Sequence, residues 1–421
     1  MNLVTRQRGA ATLGITLLLL FVVMLVAAIA SRNLVFEQRA SANQWRSTQA
    51  FEAAEAGLEW AQAMLASDAL IGADCKPIAR PGATTFRERL LDVDPATRVF
   101  SVRTWSDAGN AVPLQAACVR DGDAWHCSCP HAGHPALDAP GAGGAHPAFA
   151  IRFAASARSG QIQLVATGCD RLAAECLPGL PGAATGGSTA HAQVALGLLP
   201  ALAAMPTAAL TVAGAIDAGG ALVLANTDAR AAGVTAHAGG TIALAAATLE
   251  TLPGVPAESS LAERDALLET LDAERATALF LGLHAARWQR LPGLQTLACA
   301  GDCGAALQVA IGTGQRRIRI TNGLQIDGPA TLGSPERPVL LVVEGPLQLA
   351  GGVQIHGAVV HRAAQWDTSG THDARIDGAV IVAGNVIGDG TPTIVYDRTV
   401  LDRLHGEAGV LVRVAGSWRD F

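Results

Sequence analysis

The chain has 421 residues, of which 50% are apolar, and its formal net charge of −6 is spread without long runs of one sign. This composition is sufficient for sizeable cores, and the length suggests two folded units behind the N-terminal segment. No basic block is present, so a nucleic-acid-binding surface is not predicted.

The N-terminal segment is the most informative part of the sequence. Residues 10–31 carry no charge and follow Arg6 and Arg8. A run of this length crosses the hydrocarbon core as a helix. Because basic residues stay on the cytoplasmic side, we expect a single-pass inner-membrane protein with a cytoplasmic N-terminus and a periplasmic body.

The apolar run continues into residues rich in strong helix formers. Ala, Leu, Glu, Gln and Arg dominate residues 36–66, and no Pro or Gly follows the run until Gly57. The sequence therefore predicts one helix over residues 10–66, roughly 80 Å long at 1.5 Å per residue, with residues 10–31 in the membrane.

More than one interpretation of this N-terminus is compatible with its sequence. The small-x-small pattern Ala28-Ile29-Ala30 fits the general signal peptidase, which would remove the apolar run. The run is longer than the apolar core of an ordinary secretory signal, and a basic segment ending in Gly9 directly precedes it. A generic single-pass anchor with a helical stalk is a further alternative, although a stalk requires no such junction.

The segment over residues 6–66 resembles the N-terminal module of PilX-type minor pilins of type IV pili. The resemblance is carried by the leader, the apolar helix and a set of helix residues: Glu37, Arg39-Ala40, Asn43, Arg46, Ala50-Phe51 and Ala53-Ala54-Glu55-Ala56-Gly57-Leu58. It implies a class III leader over residues 1–9, cut by prepilin peptidase between Gly9 and Ala10, and methylation of the new amino terminus. It also implies partners, namely other minor pilins and the major pilin through the helix, prepilin peptidase and the inner-membrane assembly platform.

One position departs from the major-pilin pattern. The fifth mature residue is Gly14, where most pilins carry a glutamate thought to neutralise the amino terminus of a neighbouring subunit. Because an unpaired buried charge is costly, that glutamate favours addition beneath an existing subunit. Its absence implies a first or tip subunit, as in the K-type pseudopilin of type II secretion. The alternative is that Gly14 is a small packing residue of a membrane helix.

The cysteine count is even in a chain expected to leave the cytoplasm, which favours disulfides. The candidates are Cys75, Cys118, Cys127, Cys129, Cys169, Cys176, Cys299 and Cys303. Cys169–Cys176 and Cys299–Cys303 suit small loops, and the other four allow three connectivities. Metal binding near His126, His131 and His134 is disfavoured, because Cys127 and Cys129 are separated by one residue rather than the two to four of zinc sites. No metal or cofactor is predicted.

The fold class predicted for the whole chain is α+β. Residues 67–203 should form a pilin-like globular domain, since residues 98–105, 148–155, 161–167 and 192–198 read as strands. The resemblance implies that these strands form an antiparallel sheet on the outer half of the long helix.

The remaining residues, 204–421, are predicted to form a mainly β head with a helical insertion over about 257–290. Short apolar strands end in glycine, and the pattern of residues 353–360 recurs at 374–381. A recurrence of this length with a fixed glycine indicates a β-solenoid-like stack. A β-sandwich is the alternative, because its strand spacing also fits.

An enzymatic function is disfavoured, and no catalytic residue is assigned. Asn226-Thr227-Asp228 and Arg317-Ile318-Arg319 show a faint resemblance to polygalacturonase motifs, but the paired aspartates of that family are missing. The acidic loop around residues 367–377 is better explained by turns. We predict a non-enzymatic minor pilin of the priming or tip complex, incorporated at the pilus tip. A tip adhesin or a K-like pseudopilin is the alternative, and a β-solenoid carbohydrate-active enzyme is less favoured.

Overall fold

The computed structural model describes residues 9–80, 82–138, 146–172, 176–177 and 187–420. A single helix, α1, runs without a break over Gly9–Ala66. The long N-terminal helix is therefore confirmed, while residues 1–8 of the predicted leader lie outside the described part. The composition of strong helix formers explains why α1 continues beyond the apolar run.

Short strands follow α1 and surround its second half. Their bounds, with one short helix, are β1 Leu70–Ile71, β2 Thr84–Thr85, α2 Phe86–Leu90, β3 Leu91–Val93, β4 Phe100–Val102, β5 Thr104–Asp107, β6 Asn110–Pro113, β7 Ala116–Asp121, β8 Ala124–Ser128, β9 Ala148–Ala155, β10 Gln161–Cys169 and β11 Thr189–Leu199. Strands β11, β10, β9, β7 and β8 lie side by side in an antiparallel sheet.

This sheet packs on α1 through small residues. Ala50, Ala53 and Ala54 of α1 are at most 3% exposed. A Cβ atom on Gly168 of β10 would lie 2.1 Å from the carbonyl oxygen of Ala50, so glycine is required for this approach. The larger side chains Leu58 and Phe149 complete the core beside the small residues.

Four disulfides join the eight cysteines. Two are the loop pairs, Cys169–Cys176 and Cys299–Cys303; the others are Cys75–Cys129 and Cys118–Cys127. The buried Arg89 fixes the loop that carries Cys129, because its Nη1 donates to the carbonyl of Cys129 at 2.7 Å.

The rest of the chain contains short strands and five helices, followed by two strands near the C-terminus. Their bounds are β12 Leu210–Val212, β13 Ile216–Ala218, β14 Val223–Ala225, β15 Ala236–Ala238, β16 Ile242–Leu244, β17 Thr248–Glu250, β18 Leu261–Ala262, α3 Ala266–Glu269, α4 Ala273–Leu281, α5 Ala285–Trp288, β19 Gln295–Leu297, α6 Gly304–Gly312, β20 Arg317–Ile320, β21 Leu324–Ile326, β22 Ala330–Leu332, β23 Val339–Val343, β24 Leu347–Leu349, β25 Val353–His361, β26 Gln365–Asp367, β27 His372–Val382, β28 Asn385–Gly388, β29 Thr391–Tyr396, α7 Arg398–Glu407, β30 Val410–Arg413 and β31 Arg419–Asp420. Single 3₁₀ turns lie at Ala229–Ala231, Ala257–Ser260 and Thr368–Gly370.

Strands β12 to β29 pair in parallel. One continuous path runs β19–β20–β23–β25–β27–β12–β15–β18. Strands β25 and β27 pair in the register of the sequence recurrence, as in Ile355 opposite Ile376. The mainly β character of this region is therefore confirmed.

The order of strands in space differs from their order along the chain. The chain joins the parallel stack in its middle at β12 and reaches one end at β18. It then crosses to the opposite end at β19 and returns through β27, which pairs with the free side of β12. Residues 263–294 make the crossing, so this connection links the two ends of the stack.

The helical insertion predicted over about 257–290 consists of the short helices α3, α4 and α5, all of which lie in the crossing. Asp265 and Asp272 each cap a new helix N-terminus, and Gly282 ends α4 with a left-handed backbone. These local signals divide the insertion into separate short helices. Phe280 and Trp288 nevertheless pack into the core of the parallel stack, as an apolar stripe requires.

The last strands return to the first sheet. Leu199 at the end of β11 pairs with Val410 of β30, and β31 also pairs with β11. Residues 200–409 are thus inserted between two adjacent strands and are called the inserted unit below. The remaining described residues from Gln49 onward form the helix-bearing unit. This boundary differs from the predicted division at residue 204, because β30 and β31 belong to the first sheet.

Candidate functional site

The first part of α1 projects away from the folded body. Every residue from 12 to 48 is exposed, whereas burial begins at Gln49. At 1.5 Å per residue this exposed part is about 55 Å long. It contains a window apolar and long enough to cross a membrane, with none of it buried in the protein. Such a surface is consistent with a single-pass membrane anchor.

The exposed part of α1 changes character after the apolar run. Residues 32–48 carry charges, yet Phe36 is 72% and Trp45 is 57% exposed. Trp45 lies on one helix face with Leu34, Glu37, Gln38, Ser41 and Ala42, which line a shallow hollow. Their spacing of three and four residues places them in register along α1. Large exposed apolar side chains in a charged segment mark a surface suited to contact with another protein or with the membrane.

The predicted processing and placement residues lie on this projecting helix. Gly9 begins α1, and Ala10 follows it. A Cβ atom on Gly14 would meet no described atom within 4 Å. Inside a helix, glycine costs about 1 kcal/mol relative to alanine. No packing contact within the described chain offsets this cost at Gly14.

Residues near the C-terminus hold the second half of α1 against the sheet through side-chain hydrogen bonds. The Nη2 atom of Arg413 donates to Glu59 Oε1 at 2.6 Å, and Trp418 Nε1 donates to Glu55 Oε1 at 2.8 Å. Both contacts join residues from opposite ends of the chain. Sequence reasoning missed this role, because nothing local connects the last strands with α1.

The end of α1 also meets the inserted unit. Asp68 Oδ2 accepts hydrogen bonds from Arg317 Nη2 at 2.9 Å and from Arg317 Nε at 3.2 Å, and both side chains are buried. A Cβ atom on Gly293 would lie 2.2 Å from the carbonyl oxygen of Ala66. The close approach and the ion pair fix the inserted unit against the base of the helix.

The residues considered for catalysis have structural roles. Asp367 caps the 3₁₀ turn that follows it, and hydrogen bonds from Ser369 lower the pKa of its carboxyl. Asp377 pairs with Arg375 at 2.7 Å, and Arg317 pairs with Asp68. A carboxyl held ionised in a turn is unsuited to general acid catalysis near neutral pH.

The metal hypothesis gains no support from the geometry. Cys127 and Cys129 belong to two different disulfides. Among the described residues, no cluster of three or more His, Cys, Asp or Glu side chains is arranged to hold a metal ion. Three tryptophans of the chain also have structural roles: Trp288 and Trp366 are buried in the core, and Trp418 Nε1 donates to Glu55 of α1.

Comparison with known proteins agrees with the character of α1. Residues 8–59 match the family described as PilX N-terminal. The N-terminal segment resembles that of type IV minor pilins. The resemblance is confined to this segment, which covers the projecting part of α1 and its first turns on the sheet.

Two further comparisons concern the whole chain. No curated protein matches the sequence. Among solved structures, the crystal structure of the competence-associated pilin ComZ from Thermus thermophilus shares 12% identity, covers 89% of this chain and 98% of its own, and gives a TM-score of 0.24.

Proposed function

We propose that this chain is a minor pilin that takes part in the assembly of a type IV pilus. The observation that carries the proposal is the projecting part of α1, which matches the PilX N-terminal family and leaves its apolar side chains exposed. A subunit of this shape gains burial only when other helices or lipid surround α1. We infer that its function is assembly rather than catalysis.

The projecting helix would act in two zones. Before assembly the subunit would be a single-pass membrane protein. In the membrane, van der Waals packing would drive the association of α1 with the helices of other pilins. Beyond the membrane, Phe36 and Trp45 would leave water on joining neighbouring pilins. Full burial of such a side chain contributes about 1.5–3 kcal/mol, so these two residues should be important contacts.

Processing would precede assembly. Prepilin peptidase would cut between Gly9 and Ala10, and the new amino terminus would be methylated. The N-terminus would face the cytoplasm and the body the periplasm, in line with Arg6 and Arg8. The inner-membrane assembly platform would then move the subunit into the filament with the major pilin and other minor pilins.

A position in the priming or tip complex suits two features. Gly14 offers no carboxylate to a predecessor, and no intrachain packing explains it. The inserted unit is a large second body, because the whole chain from residue 200 to 409 lies between the paired residues Leu199 and Val410 of the first sheet. Such bulk would crowd a shaft of repeated subunits, but fits at an end where neighbours are missing on one side.

We further infer that the parallel stack is a β-solenoid. Within residues 210–262 and within residues 295–396, strands pair in parallel with the strand one coil further along the chain, as in Ile318 opposite Leu341 and Ile355 opposite Ile376. The apolar side chains between successive strands form one core. A β-sandwich would be built from antiparallel pairs, so the parallel register supports the solenoid.

Deletion of the gene, followed by electron microscopy and a protein-secretion assay, tests the function. We expect few or no surface pili, restored by the wild-type gene but poorly by Trp45→Ala. Gln44→Ala, on an exposed neighbouring residue of the same helix, is the matched control. Normal pili with lost secretion would instead assign a pseudopilus, and normal pili with lost surface attachment would assign an adhesin. Unchanged pili, secretion and attachment would refute the proposal.

A further inference from the structure

A cleft of about 250 Å³ lies at the boundary between the helix-bearing unit and the inserted unit. The helix-bearing unit contributes Arg87, Glu88 and residues 91–93. The inserted unit contributes Arg337 and, from α7, Arg403 and Glu407. None of these residues belongs to the projecting part of α1, so the cleft is separate from the assembly surface.

The side chains around the cleft carry an excess of positive charge. Arg87, Arg103, Arg337 and Arg403 line it together with only three carboxylates, those of Glu88, Asp92 and Glu407. A fifth guanidinium, that of Arg316, adjoins the cleft because its Nη2 lies 3.6 Å from Glu407 Oε2. Two positive charges thus lack a matching carboxylate among these residues.

Several guanidinium nitrogens at this boundary have no acceptor. Arg316 is 3% exposed, and neither of its Nη atoms has a hydrogen-bond partner among the described residues. Burial lowers its pKa to about 10, which leaves it cationic at neutral pH. Arg337 Nη1 lies 3.4 Å from Glu88, while its buried Nη2 is also without a described acceptor. Unsatisfied buried donors destabilise a fold, more so when they are charged.

We propose that this cleft binds a small oxyanion of the phosphate class. A phosphate group supplies negative charge and several acceptor oxygens, and guanidinium groups bind such oxygens with paired hydrogen bonds. The bound anion would accept a hydrogen bond from Arg337 of the inserted unit and lie beside the positive charges of Arg87 and Arg103 of the helix-bearing unit, and so hold the two units together.

The experiment uses the full chain in detergent micelles and inorganic phosphate as the probe. Phosphate should raise the thermal unfolding midpoint in a saturable manner, compared with sodium chloride at equal ionic strength. Isothermal titration should show about tenfold weaker phosphate binding for Arg337→Gln, the loss expected for one charge-assisted hydrogen bond. Arg264→Gln, on an exposed arginine outside the cleft, should bind like the wild type.

A second variant separates an effect on phosphate binding from a general loss of stability at the boundary between the two units. Glu407→Gln removes the ion pairs with Arg316 and Arg403, as Arg337→Gln removes the pair with Glu88, but it increases the excess positive charge. Phosphate affinity should therefore rise severalfold in Glu407→Gln although the protein is less stable. Equal midpoints of the wild type in phosphate and chloride, or equal phosphate affinities of Arg337→Gln and Glu407→Gln, would overturn the proposal.

Discussion

The contact between α1 and the sheet can be tested with one methyl group. In Gly168→Ala the new Cβ atom would lie 2.1 Å from the oxygen of Ala50 and 2.3 Å from the nitrogen of Ala54. Favourable contacts between such atoms need about 3.5 Å, so α1 and β10 must separate by more than about 1 Å. Both clashing atoms are backbone, and no side-chain rotation can relieve them.

The expected cost follows from this geometry. Overpacking in a tight core typically costs about 1–3 kcal/mol, and we expect the upper end because a whole helix must move. Gly197→Ala in the neighbouring strand β11 is the matched control. Its Cβ atom would lie 3.5 Å from a side-chain atom of Val414, an ordinary contact. Replacing an unstrained glycine by alanine stabilises a protein by about 0.4–1 kcal/mol, so the control should be neutral or slightly stabilised.

Urea denaturation and limited proteolysis of the full chain in detergent micelles measure the difference. Gly168→Ala should unfold at lower urea concentration and be cut faster between α1 and β10 than Gly197→Ala. Indistinguishable denaturation midpoints for the two variants would refute the argument that small residues set the distance between α1 and the sheet.

Four further predictions follow from the helix, the boundary and the disulfides. Gly9→Leu should block processing, so that mass spectrometry no longer finds a mature chain beginning at Ala10. Gly14→Glu should lower the pilus count or place the protein along the shaft, because the new carboxylate would be a buried charge without a partner in the priming complex; an unchanged count with labelling only at pilus ends would contradict this. Asp68→Asn should destabilise the protein by about 3–5 kcal/mol in urea denaturation, since Arg317 would stay buried without its counter-charge. Alkylation without reductant should label none of the eight cysteines of the exported protein.

The cysteine pairings show how far local sequence can reach. Cys118 lies directly opposite Cys127 in the hairpin of β7 and β8, whose turn is centred on Gly122-Asp123. That two-residue turn is a sequence signal for the hairpin, and its register would have suggested the pair. The Cys75–Cys129 bond closes a much longer loop and depends on how the chain around Arg89 folds, which no local signal encodes.

The sequence by itself determined the features that depend on near neighbours. Helix propensity and the uncharged run gave the unbroken α1, and the recurrence of residues 353–360 at 374–381 gave the register between β25 and β27. Tertiary structure alone decided that β30 returns to β11, and that β27 pairs with β12 from the far earlier part of the chain. Apart from proline, every residue type offers the same backbone donor and acceptor, so the partner of a strand is set by which distant surfaces bury their apolar faces together.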